Sequence, residues 1–184
     1  MLKWSIKKYF NITGWRYNQF PDLKKAVILM APHTSIWDFV LGKLYLNLYE
    51  KKAKVFIKKE AFWWPLGYFL KKWGGIPVDR GKRTGLTEKA IETFNQNKEF
   101  LLIITPEGTR KKTKHWKKGF IRIARGANVP VVLGYLDKKT KTLGFLDFVA
   151  MEGSDEEIME RVKRKYTGLT GLRKNKFETG YEQA

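Results

Sequence analysis

Cysteine is absent from this chain of 184 residues. Disulfides, thiolate zinc sites and a cysteine nucleophile are therefore excluded. Histidine is scarce, with only His33 and His115, and acidic residues are few: 18 Asp and Glu stand against 37 Lys and Arg, a formal net charge of +19. Such a balance favours an anionic partner, which could be nucleic acid, an anionic membrane surface or an acidic substrate.

Long apolar runs are also missing. No run approaches the ~18–20 residues that a transmembrane helix needs, and residues 1–17 lack the continuous apolar core of a signal peptide. We therefore expect a cytoplasmic protein, either cytosolic or peripherally associated with the cytoplasmic face of a membrane. Aromatic residues, in contrast, make up 15% of the chain, with seven Trp, and Trp and Tyr favour the membrane interface.

Apolar runs alternate with amphipathic segments along the chain. A buried strand is predicted at 26–31 and further strands at 53–57, 76–78, 100–105 and 129–133. Helices are predicted at 38–49, 61–73, 84–97 and 119–126. A hairpin joined at 137–141 follows, and a last helix begins after Ser154 and reaches about Tyr166. Strands that alternate with helices form layered folds. We therefore expect an α/β protein with a single layered domain over 26–166, whose mixed, partly parallel central sheet is flanked by helices.

The segments around this domain allow more than one interpretation. The N-terminal amphipathic segment 1–25 contains a basic helix that either packs on the domain or lies at a membrane interface. The aromatic segment 61–73 belongs to the core by default, or else forms a lipid-facing patch or an acyl-chain groove. The basic loop 111–118 is either solvated or anchored to lipid by Trp116. The polar C-terminal tail, 167–184, is expected to be poorly ordered.

The motif with the most chemical content follows the first strand. His33 lies where that strand ends, and Asp38 follows five positions later. A histidine that takes a proton near neutral pH commonly needs a carboxylate to fix its tautomer. However, Ser35 and Asp38 also fit a helix capping box, and in one continuous helix His33 and Asp38 would point about 140° apart. The two side chains can meet only if His33 lies in the turn before the helix.

Other strands of the predicted sheet end in polar groups of a suitable kind. Arg80 follows the third predicted strand, and Glu107 and Arg110 follow the fourth. The carboxyl ends of parallel strands meet at one edge of a sheet, so we expect these groups to share a cleft with His33. Arginine suits bidentate recognition of phosphate. The alternatives are a solvated charge at Arg80 and a surface salt bridge between Glu107 and Arg110.

Four blocks of the sequence together resemble the glycerolipid acyltransferase family, the lysophosphatidic-acid-acyltransferase-like enzymes. HTSIWD at 33–38 is similar to the family's His-x4-Asp block, and GIPVDR at 75–80 is similar to its second block. PEGTR at 106–110 matches the Glu-Gly-Thr-Arg block, and VPVV at 129–132 resembles the fourth. The first and third blocks are the specific ones. The resemblance spans 31–133 and implies a glycerol-3-phosphate acyltransferase-like fold.

The resemblance also implies a mechanism. His33 is the implied general base on the acceptor's hydroxyl, with Asp38 orienting it, and the activated oxygen attacks a thioester carried by coenzyme A or acyl carrier protein. The implied acceptor is a lysophospholipid such as 1-acylglycerol 3-phosphate, and we expect no metal and no cofactor besides that acyl-CoA or acyl carrier protein co-substrate. The residues implied to hold the acceptor headgroup are Arg80, Glu107, Gly108, Thr109 and Arg110. Lys58 is implied to assist them.

Membrane contact and nucleic-acid binding are the competing explanations of the basic charge. Better-known members of the family are longer and carry an N-terminal helical pair or a membrane span, so we expect this chain to dock on an anionic membrane through its basic surface and the segment 61–73. A nucleic-acid-binding protein without catalytic activity also explains the charge of +19. It does not explain His33 and Asp38 or the PEGTR turn, so nucleic acid is not an expected partner.

Overall fold

The computed structural model describes residues 2–79 and 85–182. The helices in these ranges are α1 (Leu2–Thr13), α2 (Ile36–Leu48), α3 (Leu66–Lys72), α4 (Leu86–Gln96), α5 (Gly119–Ala127) and α6 (Asp155–Tyr166), with a short 3-10 helix at Lys59–Ala61. The strands are β1 (Arg16–Tyr17), β2 (Lys25–Ala31), β3 (Ala53–Lys58), β4 (Gly75–Val78), β5 (Phe100–Ile104), β6 (Val131–Asp137) and β7 (Thr142–Val149). The predicted elements are confirmed with small shifts at their ends, except that the helix predicted over 61–73 is only α3, which begins at Leu66. Strand β1 is an addition.

One sheet contains all of these strands, in the order β1-β7-β6-β2-β5-β3-β4. Neighbours pair in parallel except β6 and β7, which form the predicted antiparallel hairpin. A short turn is enough for an antiparallel pair, whereas parallel neighbours need a crossover segment, which here is usually a helix. The prediction of a mixed, partly parallel sheet is therefore confirmed, and β2 lies at its centre between β5 and β6.

Helices cover both faces of the sheet, and the side chains of β2 alternate between the two cores that these helices form with it. Val27 and Leu29 pack in one core with residues of α4, α5 and α6. Ala26 and Ile28 face the opposite side and pack with residues of α1 and α2. A strand buried on both faces reads as a continuous apolar run, which is why β2 could be predicted from its sequence.

Helix α1 packs on the domain through only one side. Ile6 and Phe10 are buried in the core beside α2, which confirms that the helix packs on the domain. Trp4 and Ile12 point outward and are 66% and 74% exposed. The same helix therefore also presents large apolar side chains to solvent.

The aromatic segment 61–73 is mostly outside the core. Only Gly67 and Leu70 of α3 are buried. The exposed aromatic side chains of this segment, which we call the aromatic surface, are Trp63, Trp64, Tyr68, Phe69 and Trp73. The prediction of core packing is therefore wrong for these five residues. The reason is that α3 lies beside the edge strand β4, where one side of a helix is left uncovered.

Two expectations about the C-terminal half are wrong. Trp116 is 7% exposed and packs in the core, with its ring centroid 5.8 Å from that of Tyr166 and 5.9 Å from that of Phe177. It therefore does not anchor the loop to lipid. The chain after α6 is not a loose tail either, because Thr179 is fully buried and Phe177 packs against the core. We call residues 168–179 the C-terminal strap.

Candidate active site

The loops that follow β2 and β5 form the candidate site. The two strands are direct neighbours and run parallel, with Leu29 opposite Ile104, so both loops leave the same edge of the sheet. His33 lies on the first loop and Glu107 on the second, and the backbone N–H of His33 donates a hydrogen bond of 2.9 Å to Glu107 Oε1. The expected convergence of these two strand ends is confirmed.

His33 and Asp38 also meet. Nδ1 of His33 lies 3.5 Å from Oδ2 of Asp38, in a site where the Asp38 side chain is 4% exposed and the His33 side chain 21%. The pair can form because α2 begins only at Ile36, which leaves His33 in the turn before the helix. That was the geometric condition for contact, and the structure fulfils it.

Asp38 serves the helix start at the same time. Its Oδ2 accepts hydrogen bonds from the backbone N–H groups of Thr34, at 2.5 Å, and Ser35, at 2.6 Å. The hydroxyl of Ser35 accepts from the N–H of Trp37, and together these contacts complete a capping box. The capping role and the contact with histidine were alternatives on sequence grounds, but one carboxylate performs both, because the box holds Oδ2 beside the imidazole.

Glu107 is a buried carboxyl group that supports the histidine through its backbone. It is 4% exposed, which excludes the alternative of a surface salt bridge. Burial raises the pKa of Glu107 to about 8; the hydrogen bond from the N–H of His33 opposes this shift, and the negative charge of Asp38 adds to it. Each of these two carboxyl groups keeps one buried oxygen, Oε2 and Oδ1, that has no hydrogen-bond partner within the described ranges.

The last three residues of the PEGTR turn are more open than Glu107. Gly108 has a φ of +66°, a conformation that strongly favours glycine, and a Cβ atom there would lie 3.3 Å from Cγ of Lys117. The hydroxyl of Thr109 accepts a hydrogen bond of 3.1 Å from the N–H of Lys111. Arg110 is exposed. The turn thus presents a charged side chain and backbone groups next to the buried Glu107.

Two further predicted binding residues are not joined to this cluster by any contact that the structure describes. Arg80 lies outside the described residues, although the strand before it, β4, ends at the same edge of the sheet. Lys58 is the last residue of β3 and is exposed, with Nζ 3.8 Å from Oε2 of Glu60. The headgroup-binding role of both residues stays a prediction.

Sequence reasoning missed the residues that hold the first loop and the strand before it. Thr34 is 1% exposed, and its Oγ1 accepts a hydrogen bond of 3.2 Å from the N–H of Arg173 in the C-terminal strap. The buried Tyr166 donates to the carbonyl oxygens of Leu29, at 2.7 Å, and Gly134, at 3.0 Å. Such contacts join distant parts of the chain, and no local pattern in the sequence signals them.

A metal centre has no obvious position in the described part of the chain. No group of three or more His, Asp or Glu side chains lies there in an arrangement that could hold an ion. The groups that the site does offer are an imidazole, two carboxyl groups and cations in the loop after β5. This set can take up a proton and bind an anion, and the expectation that no metal is needed stays a prediction.

Comparison with known proteins identifies the class. The acyltransferase family model matches residues 11–133, which enclose the His-x4-Asp and PEGTR blocks, and the chain therefore belongs to the acyltransferase family. A 1-acyl-sn-glycerol-3-phosphate acyltransferase from Cocos nucifera is 32% identical over 138 residues, which are 72% of this chain and 42% of that protein. The chain thus spans about two fifths of the length of this curated relative.

A solved structure has a similar fold. The crystal structure of the 1-acyl-sn-glycerophosphate (LPA) acyltransferase PlsC from Thermotoga maritima matches with a TM-score of 0.60 and 18% sequence identity. The match covers 89% of this chain and 76% of that one. It confirms the α/β fold class, including the acyltransferase-like layering that the sequence resemblance implied. None of these three similarities is to a nucleic-acid-binding protein.

Proposed function

We propose that this chain transfers a fatty acyl group from a thioester donor, acyl-CoA or acyl carrier protein, to the hydroxyl of a lysophospholipid-type acceptor such as 1-acylglycerol 3-phosphate. Nε2 of His33 takes the hydroxyl proton while the acceptor oxygen attacks the thioester carbonyl. The tetrahedral intermediate then collapses, the C–S bond breaks, and the proton passes from His33 to the departing sulfur. An ester and a free thiol result, and no acyl-enzyme is needed, in keeping with the lack of cysteine.

The observation that carries this proposal is the contact of 3.5 Å between His33 Nδ1 and Asp38 Oδ2. A neutral imidazole that directs its Nδ1–H at a carboxylate has Nε2 free to accept a proton. The carboxylate also stabilises the imidazolium that then forms. A contact of this length is compatible with the task, because such hydrogen bonds are often long before substrate binds. The similarity to the 1-acyl-sn-glycerol-3-phosphate acyltransferase from Cocos nucifera supports the choice of acceptor.

The acceptor's phosphate is proposed to bind at the edge of the sheet beside His33. The strands β5, β3 and β4 are consecutive in the sheet and parallel, so the residues that follow them lie along one edge. Glu107 is included because its Oε2 is not engaged by the described chain, while Oε1 holds His33. The proposed binding residues are Lys58, Arg80, Glu107, Gly108, Thr109 and Arg110.

Peripheral binding to an anionic membrane is the second part of the proposal. In the ranges that the structure describes, no helix is both long enough and apolar enough to cross a bilayer. The aromatic surface offers another means of contact, and the ring of Trp73 lies 6.1 Å from that of Phe39 in α2. Ile36 and Trp37, at the start of α2, are 51% and 60% exposed. Apolar contact area thus extends to within three residues of His33, where a lipid acceptor would enter.

The proposed activity can be tested with the purified protein. A panel of lyso-lipid acceptors, including 1-acylglycerol 3-phosphate and glycerol 3-phosphate, is combined with acyl-CoA and acyl-carrier-protein donors. We expect new ester and free thiol in equal amounts with at least one phosphate-bearing acceptor. Folded protein that produces neither with any pair would contradict the proposal.

Membrane binding has its own test. The protein is sedimented with anionic vesicles, with neutral vesicles and with single-stranded nucleic acid at several salt concentrations. We expect retention by anionic vesicles, weakened in the double variant Trp63→Ala/Trp64→Ala and unchanged in Phe148→Ala. Phe148 is a suitable control because it is 48% exposed but lies on β7. Equal retention of all three proteins by anionic vesicles would contradict a role for the aromatic surface.

A further inference from the structure

Gly171 of the C-terminal strap lies directly against the loop that carries His33. Gly171 is buried, and a Cβ atom built on it would lie 2.6 Å from Oγ1 and 3.0 Å from Cβ of Thr34, with Thr34 Cγ2 closer still. Its φ is not in the left-handed region. The absence of a side chain at this position is therefore required by space next to Thr34, and not by backbone conformation.

Thr34 cannot turn away from a side chain at position 171. Both γ atoms and Cβ are too near, so rotation about χ1 only exchanges one close atom for another. Its backbone is also held, because the N–H of Thr34 donates to Asp38 Oδ2 at 2.5 Å. A side chain at position 171 must therefore displace either the strap or the loop that links His33 to Asp38.

The strap cannot move freely, because it is also anchored to the end of β6. Asp137 is 4% exposed, and its Oδ1 accepts from the N–H of Thr170 at 2.9 Å and from the Thr170 hydroxyl at 2.6 Å. The N–H of Lys138 donates to the carbonyl oxygen of Thr170 at 2.8 Å. The N–H of Lys139 donates to the Thr170 hydroxyl at 2.9 Å. With Thr170 fixed by these four hydrogen bonds, the neighbouring Gly171 has little room to retreat from Thr34.

The far end of the strap reaches the second loop of the site. The ring of Phe177 packs on Trp116, with centroids 5.9 Å apart, and Glu178 lies 3.3 Å from Nζ of Lys112. Both partners belong to the chain that follows Glu107. The strap thus contacts the His33 loop and the Glu107 loop, although it lies beyond the residues 11–133 that the family model matches.

We propose that Gly171 is a positioning residue for His33: the strap, pressed against Thr34, fixes the loop in which the imidazole meets Asp38. This inference rests on the proposed acyl transfer for its catalytic consequence, but not for its structural one. Reactions between positioned groups are sensitive to small displacements, and a misplacement of about 1 Å can cost about 100-fold in rate. Gly171 itself contacts no reacting atom.

The kinetic test compares Gly171→Ala, Thr34→Ala and the double variant. Gly119→Ala is the matched control, because a Cβ atom at Gly119 meets no atom within 4 Å. We expect Gly171→Ala to lower kcat by about tenfold or more with unchanged KM for donor and acceptor, and Gly119→Ala to leave both unchanged. The double variant should be little slower than Thr34→Ala alone, because the clashing γ atoms are gone and only the Cβ contact of 3.0 Å remains. Wild-type kcat in Gly171→Ala, or two losses that multiply in the double variant, would overturn the inference.

A second readout does not depend on activity. The chain has two histidines, His33 and His115, so a spectrum of the imidazole nitrogens is assignable with a single His115→Ala variant. Gly171→Ala should shift the signals of His33 and leave those of the exposed His115 in place. Unshifted His33 signals would overturn the inference whether or not the protein turns over a substrate. Inactive wild-type protein would count only against the proposed function.

Discussion

Within residues 2–79 and 85–182, two helices begin with a capping box, those at Ser35 and Ser154. In the first, the N–H of Ser35 donates to Asp38 Oδ2 at 2.6 Å; in the second, the N–H of Ser154 donates to Glu157 Oε2 at 2.7 Å. Both start a helix, and both serine hydroxyls accept a backbone N–H in return. Each box satisfies donors that a helix start would otherwise leave unpaired.

The surroundings of the two boxes differ. Asp38 is buried and faces His33, whereas Glu157 is exposed and faces solvent. The first box follows the central parallel strand β2, whose end lies beside that of β5, and the second follows the antiparallel strand β7. A capping box by itself therefore says only where a helix begins. The first box has a chemical role only because it lies at the sheet edge where β2 and β5 end, beside His33.

The largest effect is expected at the histidine that only the first box contacts. His33→Ala removes the proposed base and should lower kcat by about 10²–10⁴-fold without unfolding the protein. His115→Ala is the matched control, because His115 is exposed in the basic loop, and it should keep wild-type turnover. Near-normal turnover in folded His33→Ala would refute the mechanism.

The next largest effect is expected when the carboxylate of each capping box is replaced by an amide. Asp38→Asn and Glu157→Gln each remove a charge but keep an oxygen that can accept the capping hydrogen bond. We expect Asp38→Asn to lower kcat by about tenfold or more, because an amide stabilises the imidazolium less than a carboxylate does. Glu157→Gln should leave kcat unchanged. Equal activity of the two variants would show that the Asp38 box is structural alone.

Much of this site could be predicted from the sequence, because its decisive features are local. The apolar run before His33 predicts β2, and the five-residue spacing to Asp38 places both groups at one helix start. The contacts of the C-terminal strap are not local: Arg173 and Thr34 are 139 positions apart. Trp116 lies among basic residues that suggest an interface, and its burial depends on the strap folding over it.

A third prediction concerns the pH dependence of stability. Burial raises the pKa of Glu107 to about 8 in the folded protein, whereas a glutamate in an unfolded chain has a pKa of about 4.3. Between these values the folded state binds more protons than the unfolded state, so stability falls as the pH rises. Thermal unfolding of wild type should therefore lose Tm between about pH 5 and pH 8 relative to Glu107→Gln. Parallel curves for the two proteins would contradict this ionisation of Glu107.

The smallest effect is expected at the second box, and it has the opposite sign. Hydrogen bonds from the N–H and the hydroxyl of Ser154 lower the pKa of Glu157. A depressed carboxyl pKa contributes stability that is present above the unfolded value and is lost as the pH falls through the folded value. Because Glu157 is exposed and screened by solvent, Glu157→Gln should lower Tm at pH 7 only slightly, by a few degrees at most. The difference from wild type should fade below about pH 4, and a Tm difference that persists at pH 3 would show that the charge is not its cause.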